Sequence, residues 1–328
     1  MSNDVSPRSR AHGGLRSERC RSEFPSQGSD TFDAPQTFRH VGEQAPTALH
    51  IPAAEGRLSG RRALLVMLVA VICVLAAVAV AGACSAEQAS VVDFAARNLA
   101  PCPAHPFGTD WMGRDMLART LAGLSTSIGV GLLAAGASSA IALVLAAAAA
   151  LGGPRVDAAV EWLIDLVMGI PHLVLLILIS YALGRGTVGV LVGIAVTHWP
   201  SLARVLRGEI LQVRAQPFFA CSTALGISRV RLVATHLVPH VLPQYLVGLV
   251  LLFPHVVLHE ASITFLGFGL SPEQPAIGVI LSEAMSYLTS GAWWLAVFPG
   301  LALLACVLLF DRAGALLRRL SNPEGVQA

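Results

Sequence analysis

Ala63-Leu64-Leu65-Val66-Met67-Leu68-Val69-Ala70-Val71-Ile72-Cys73-Val74-Leu75-Ala76-Ala77-Val78-Ala79-Val80-Ala81-Gly82-Ala83 decides the fold. The run is 21 residues long, carries no charge and follows Arg61-Arg62. A helix needs about 20 apolar residues to cross the hydrocarbon core of a bilayer. Its apolar positions are continuous rather than alternating. In lipid every backbone polar group needs a partner inside the protein, which leaves helices and closed barrels; the missing alternation removes the barrel. Ala81-Gly82-Ala83-Cys84 faintly resembles a lipoprotein cleavage box. A signal peptide is nevertheless the weaker reading, because the run starts at residue 63 and other spans follow.

Outward from this run lie five more apolar stretches, at about residues 127–151, 163–183, 188–203, 245–266 and 292–310. The whole composition agrees. Hydrophobic residues make up 55% and charged residues 13%, with a mean hydropathy of +0.67. A soluble domain carries about 25% charged residues, so lipid must cover much of this surface. The expected fold is all-α, a polytopic bundle of about six transmembrane helices.

An even number of spans puts both ends on one side, and the arginines say which. With the N-terminus inside, the inner segments hold Arg61, Arg62, Arg155, Arg204, Arg207, Arg214, Arg229, Arg231, Arg312, Arg318 and Arg319. The outer segments hold Arg97, Arg114, Arg119 and Arg185. Basic residues favour the cytoplasmic side, so both termini are expected there. The chain divides into a disordered cytoplasmic tail (1–60), a first helix with an external loop (61–126), a core (127–323) and a short C-terminal tail (324–328). The first tail is rich in Ser, Arg, Gly and Pro and has little to build a core from.

The six cysteines are scattered and show no zinc-like spacing. Cys84 and Cys102 share one external loop, where a disulfide stays open. All 22 basic side chains are arginine; the chain has no lysine. It therefore lacks the lysine with which a Gly-rich nucleotide loop reaches phosphates. A net charge of +2 gives no footing for nucleic acid.

The inner loop at 204–243 is the most informative. Its helical run is expected to end at Gly226, a residue suited to a left-handed C-terminal cap. A second amphipathic run follows, with arginines on one face and Val230, Val233, Ala234 and Leu237 on the other. A helix–Gly–helix knob of this kind suits docking into a partner's groove.

This loop resembles the EAA loop of ABC importer permeases: Glu-Ala-Ala, three residues, Gly, nine residues, then a tetrad ending in Pro. Ala220-Cys221-Ser222 stands for the first triplet, Gly226 for the Gly, and His236-Leu237-Val238-Pro239 for the tetrad. The spacing is kept, and the acid is replaced by Ala220. His105-Pro106-Phe107-Gly108-Thr109-Asp110-Trp111-Met112-Gly113-Arg114-Asp115 is similar to the motif after the first span in dipeptide, oligopeptide and nickel permeases. Glu260-Ala261-Ser262-Ile263-Thr264-Phe265-Leu266-Gly267-Phe268-Gly269-Leu270 resembles their stretch after span five. The resemblance implies a type I ABC importer permease subunit for peptides or nickel, which is not itself an enzyme. It further implies a homologous second permease chain, two ABC ATPase subunits that hydrolyse ATP with Mg, and an extracytoplasmic substrate-binding protein. The expected setting is the bacterial inner membrane, with no cofactor bound by this chain.

Ionisable residues inside spans are costly and read as functional. His198 lies in span four; His255, His259 and Glu260 lie in span five. His255 and His259 are four apart and share a helix face, so with His198 they form a candidate substrate path, with Glu260 near its external mouth. Imidazoles suit a borderline metal such as nickel and can equally hydrogen-bond a peptide. Asp165 and His172, beside Gly169-Ile170-Pro171, are read as structural, with Pro171 breaking the helix. No metal site is certain from this pattern. The rival classes are a stand-alone secondary transporter or channel, which leaves the EAA-like loop unexplained, and a membrane-anchored sensor, for which the short loops leave no domain.

Overall fold

Helix α1 (Arg61–Cys84) buries only Leu75 and Gly82, as expected of a helix that lipid surrounds. It lies against α2 (Met116–Gly152) and α11 (Trp294–Ser321). Close approach to α2 depends on Gly82: a Cβ there would fall 2.1 Å from the Leu121 carbonyl oxygen. Small residues bring helices together in lipid, where burial of apolar surface supplies no drive. Ser125 of α2 donates to the Ala79 carbonyl at 2.8 Å across the same contact.

The structure, a computed structural model, describes residues 60–225 and 227–321, with the backbone alone at Ala220, Thr223, Arg229 and Val230. The expected N-terminal tail apart from Gly60, the expected C-terminal tail and the expected cap at Gly226 lie outside the described residues. The remaining helices are α3 (Pro154–Gly169), α4 (His172–Ala182), α5 (Thr187–Thr197), α6 (Trp199–Ala215), α7 (Pro217–Ala224), α8 (Arg229–Leu232), α9 (Val238–Phe265) and α10 (Ile277–Leu288). A π turn, Val233–Leu237, joins α8 to α9. Among the described residues the only extended pairings are two isolated bridges in the outer loop, Cys102 with His105 and Thr109 with Asp115.

Five helical stretches are long and apolar enough to cross a membrane: 61–84, 116–152, 187–214, 233–265 and 294–321. A sixth span exists if α3 and α4 count as one, and they meet at an angle of 92°. The span expected at 163–183 with a break at Pro171 is thus a bent pair that begins earlier, at Pro154. Gly169 ends α3, Ile170 is extended, and Pro171 opens α4 without an N–H to give. The other spans run past their apolar limits. α2, for example, has 37 residues, about 55 Å at 1.5 Å per residue, so it projects well beyond an oily layer of about 30 Å.

Two apolar cores hold the bundle. The outer one joins α2, α4, α5, α9, α10 and α11 around Phe253, Ile263, Ile277 and Ile280. The inner one joins the Ala-rich end of α2 to α3, α6 and the start of α9 around Ile164, Leu206 and Ile210. The inner core is bordered by ion pairs. α3 carries Asp157, Glu161 and Asp165 on one stripe, and α6 answers with Arg207 and Arg204. Arg207 Nη2 lies 2.6 Å from Asp157 and its Nη1 3.1 Å from Glu161; Arg204 lies 2.8 Å from Asp165. The last pair is exposed and worth little; all three pairs hold α3 alongside α6. Cys84 and Cys102 are free thiols, so the disulfide left open above is not formed.

Candidate functional site: three histidines at broken helices

The outer loop comes first, because it anchors the bundle around the site. His105 Nδ1 lies 2.7 Å from the Asp115 carboxylate, whose other oxygen caps α2 by accepting the Ala118 N–H at 2.9 Å. Thr109 accepts the Leu99 N–H at 2.9 Å and donates to the Ala96 carbonyl. Asp110 is 2% exposed. One of its oxygens accepts the N–H groups of Met112 and Arg114, at 2.8 and 2.9 Å. The other accepts from Arg114 Nε and Arg119 Nη1, both at 2.6 Å. Both guanidinium groups also reach Glu283 of α10, at 2.9 Å from Arg119 and 3.2 Å from Arg114. Two positive and two negative charges close on one another and tie the loop to α10. Phe107 stacks on Phe298 at 4.5 Å, and Trp294 Nε1 donates to the Thr109 carbonyl at 3.3 Å, so α11 is held too. Pro106, Gly108 and Gly113 shape the turns between these contacts, both glycines at positive φ. The partners Arg119 and Glu283 stood out in the sequence only as charges; an arginine one turn past Asp115, at the mouth of an apolar helix, was the available signal.

Inside the bundle three imidazoles meet, each held by a different helix system. His172 is the first residue of α4, just past the 92° bend. His198 is the junction between α5 and α6. His259 lies on α9, five residues after Pro254 in the helix interior. His172 Nε2 is 3.3 Å from His198 Nε2, and His198 Nε2 is 3.4 Å from His259 Nδ1. The rings meet edge to face, with centroids 4.3, 4.6 and 5.0 Å apart. His198 is buried and the other two are half-buried.

Of the sequence candidates, His198 and His259 are brought together. His255 is exposed one turn further in along α9, and contributes its carbonyl, 2.7 Å from His259 Nδ1. Glu260 is fully buried and turned elsewhere. It accepts from Thr264 Oγ1 at 3.0 Å, and Thr264 in turn accepts the Leu270 N–H at 3.2 Å. That chain fixes the Gly-rich segment after α9 rather than lining a mouth with the histidines. His172, read as structural from the sequence, takes the third place.

The inner loop leaves α6 at Gln216. α7 projects from it with Cys221 exposed and Phe218 37% exposed, and Leu225, in the turn after it, is 81% exposed. Phe218 lies against His236 and His240, at ring-centroid distances of 5.5 and 5.7 Å. Leu237 is buried in the inner core, while Val238 and Pro239 begin α9 itself. The second run of the knob is therefore a short helix and a π turn feeding directly into a span. Ala220 and Ser222 lie on α7.

Helices of this length and apolarity define a multi-pass membrane protein. The family described as "binding-protein-dependent transport system inner membrane component" matches residues 139–321, and the chain belongs to it. It is 29% identical to the dipeptide transport system permease protein DppC of Bacillus subtilis, over 70% of this chain and 71% of that one. It is 32% identical to the nickel transport system permease protein NikC of Escherichia coli K12, over 71% and 84%. It is 31% identical to the probable D,D-dipeptide transport system permease protein DdpC of the same strain, over 72% and 78%. The chain is thus a permease subunit of the ABC importer type, in a helical bundle of the kind expected.

Proposed function

We propose that this chain forms one half of the membrane pathway of an ATP-driven importer whose solute, as in its relatives, is a peptide or nickel. ATP is hydrolysed by separate ATPase subunits, a second permease chain completes the path, and an external binding protein delivers the solute. Both termini face the cytoplasm, in the bacterial inner membrane. The observation that carries this reading is α7, a short helix on the basic face of the bundle with Phe218 and Cys221 uncovered and Leu225 uncovered in the turn after it. An 81% exposed leucine beyond the spans, next to a short helix that follows α6 directly, suits insertion into a groove on a partner. Movement of that partner then passes through α6 and α9, the helices that carry His198 and His259.

Native cysteines test orientation and docking together. In single-cysteine variants, a membrane-impermeant maleimide is expected to label Cys84 in intact cells and Cys221 only in inverted vesicles. Bound ATPase subunits are expected to protect Cys221. Labelling of Cys221 from outside overturns the orientation, and equal labelling with and without the ATPase subunits overturns the docking role of α7.

A further inference from the structure

The three-ring group is the feature that the importer reading leaves without a task. α4, which His172 begins, and α5, which ends just before His198, have 11 residues each. That is about 16 Å of helix, near half of an oily layer of about 30 Å. The rings therefore sit close to mid-depth, where alternating-access transporters hold their cargo. An open cleft of about 380 Å³ at the α3–α4 bend, lined by Gly169, Ile170, Pro171, Thr197 and His172 itself, leads up to them.

Proton accounting narrows the chemistry. His198 Nδ1 lies 3.2 Å from the Ile194 carbonyl and His259 Nδ1 lies 2.7 Å from the His255 carbonyl. A carbonyl only accepts, so each Nδ1 carries the hydrogen. In His198 the lone pair is then on Nε2, the nitrogen that faces both other rings, which is the second-shell arrangement of metal-binding histidines: a backbone carbonyl fixes the tautomer and leaves the far nitrogen basic. In His259 it is Nδ1 itself that lies 3.4 Å from His198 Nε2. With His198 Nε2 as acceptor, His172 offers Nε2–H across their 3.3 Å. Moving the Nε2 proton of His172 and the Nδ1 proton of His259 to the other nitrogen of each ring turns three lone pairs toward one point, with no net gain or loss of charge.

Spacing agrees. Metal–nitrogen bonds of about 2.0–2.1 Å at tetrahedral angles set ligand nitrogens about 3.3–3.4 Å apart. The two Nε2 atoms stand 3.3 Å apart, and one nitrogen from each ring lies within 4.8 Å of the other two. Among the described residues no carboxylate joins the group, and Glu260 is turned to Thr264. The amine of a peptide thus finds no counter-charge there. Neutral nitrogen ligands without oxygens select borderline ions over Mg²⁺ or Ca²⁺.

We propose that His172, His198 and His259 form a mid-membrane site for a divalent transition-metal ion, held by three imidazoles. That this ion is cargo rests on the importer reading; that the site binds it does not.

The test uses the assembled transporter, with its partner subunits, in lipid nanodiscs. Co²⁺ is titrated and its ligand-field bands read in the visible. The expected result is one nitrogen-ligated Co²⁺ per copy of this chain, displaced by Ni²⁺ or Zn²⁺ and not by Mg²⁺. His198→Leu and His259→Leu are each expected to weaken it by about tenfold or more, since even second-shell losses cost 10–100-fold. His172→Gln is the decisive variant. Its amide still donates to His198 Nε2, so a packing or hydrogen-bonding role survives, while the imidazole ligand is gone. Loss of the bands in His172→Gln, with subunit assembly and ATP hydrolysis intact, supports the site. Unchanged bands in that variant, or none in the unsubstituted complex, overturn it. A complex that takes up peptide under ATP yet binds no Co²⁺ retires the site and keeps the importer. One that binds Co²⁺ through the rings but performs no ATP-dependent uptake of any solute retires the importer and keeps the site.

Discussion

Asp110→Asn lowers the stability of the folded bundle by an expected 3–5 kcal/mol or so, the cost of removing one partner from a buried ion pair. Asparagine keeps an oxygen for the N–H groups of Met112 and Arg114, but its NH2 stands where the carboxylate accepted from Arg114 Nε and Arg119 Nη1, so the charge and those two hydrogen bonds are lost together. What remains is Arg119, whose side chain is 4% exposed, and Arg114, at 15%, sharing a single carboxylate from Glu283. One positive charge is left uncompensated in a dry place. Thermal unfolding in detergent should show a clear fall in Tm, and protease should cut the outer loop more readily. Glu283→Gln should cost less, because Glu283 is 27% exposed and water replaces part of what is lost. An Asp110→Asn protein with the original Tm would show that the four charges do not act as a closed group.

Gly113→Ala is expected to be almost as damaging, for a backbone reason. Gly113 has φ +79°, where a side chain costs about 1–2 kcal/mol. Its Cβ would also fall 1.7 Å from the Asp93 carbonyl oxygen. That oxygen cannot swing away like a flexible side chain, so the segment from Asp93, which caps the short turn at Phe94–Ala96, must shift. Forced overpacking of this kind costs about 1–3 kcal/mol more. The expected outcome is low abundance in the membrane and a loop open to protease. Gly136→Ala is the contrast. Gly136 lies inside α2 with nothing within 4 Å of a built Cβ, and alanine favours a helix by about 1 kcal/mol. Equal behaviour of the two variants would overturn the close approach at Gly113.

Much of this was legible beforehand because it belongs to each segment by itself. An apolar run either has the length to cross a bilayer or lacks it, so α1 was read almost to its ends, Arg61–Cys84 against 63–83. The spacing Ala220 to Gly226 to Pro239, and the His105–Asp115 and Glu260–Leu270 stretches, likewise pointed to the family that the comparison shows. Span ends were less legible. α6 runs to Ala215 and α2 begins at Met116, and hydropathy sees only the part that lipid touches. The break at Pro171 was legible from the proline itself, but not its 92° angle, because composition does not register an angle.

The candidate site divides along the same line. Sequence by itself determined that His198 and His259 are imidazoles set in membrane-spanning helices, and that α9's helical period puts His255 on a nearby face. It equally determined a chain of transmembrane helices with an exposed basic knob. Only the tertiary structure decided that His172, rather than His255, completes the group, and that Glu260 serves Thr264 instead. The reason is distance along the chain: the rings in contact are 26 and 61 residues apart. They meet because the 92° bend before α4 and the break at His198 bring two helix ends to one side of α9. Period and hydropathy describe a helix along its own axis, whereas that meeting depends on how separate axes turn and pack.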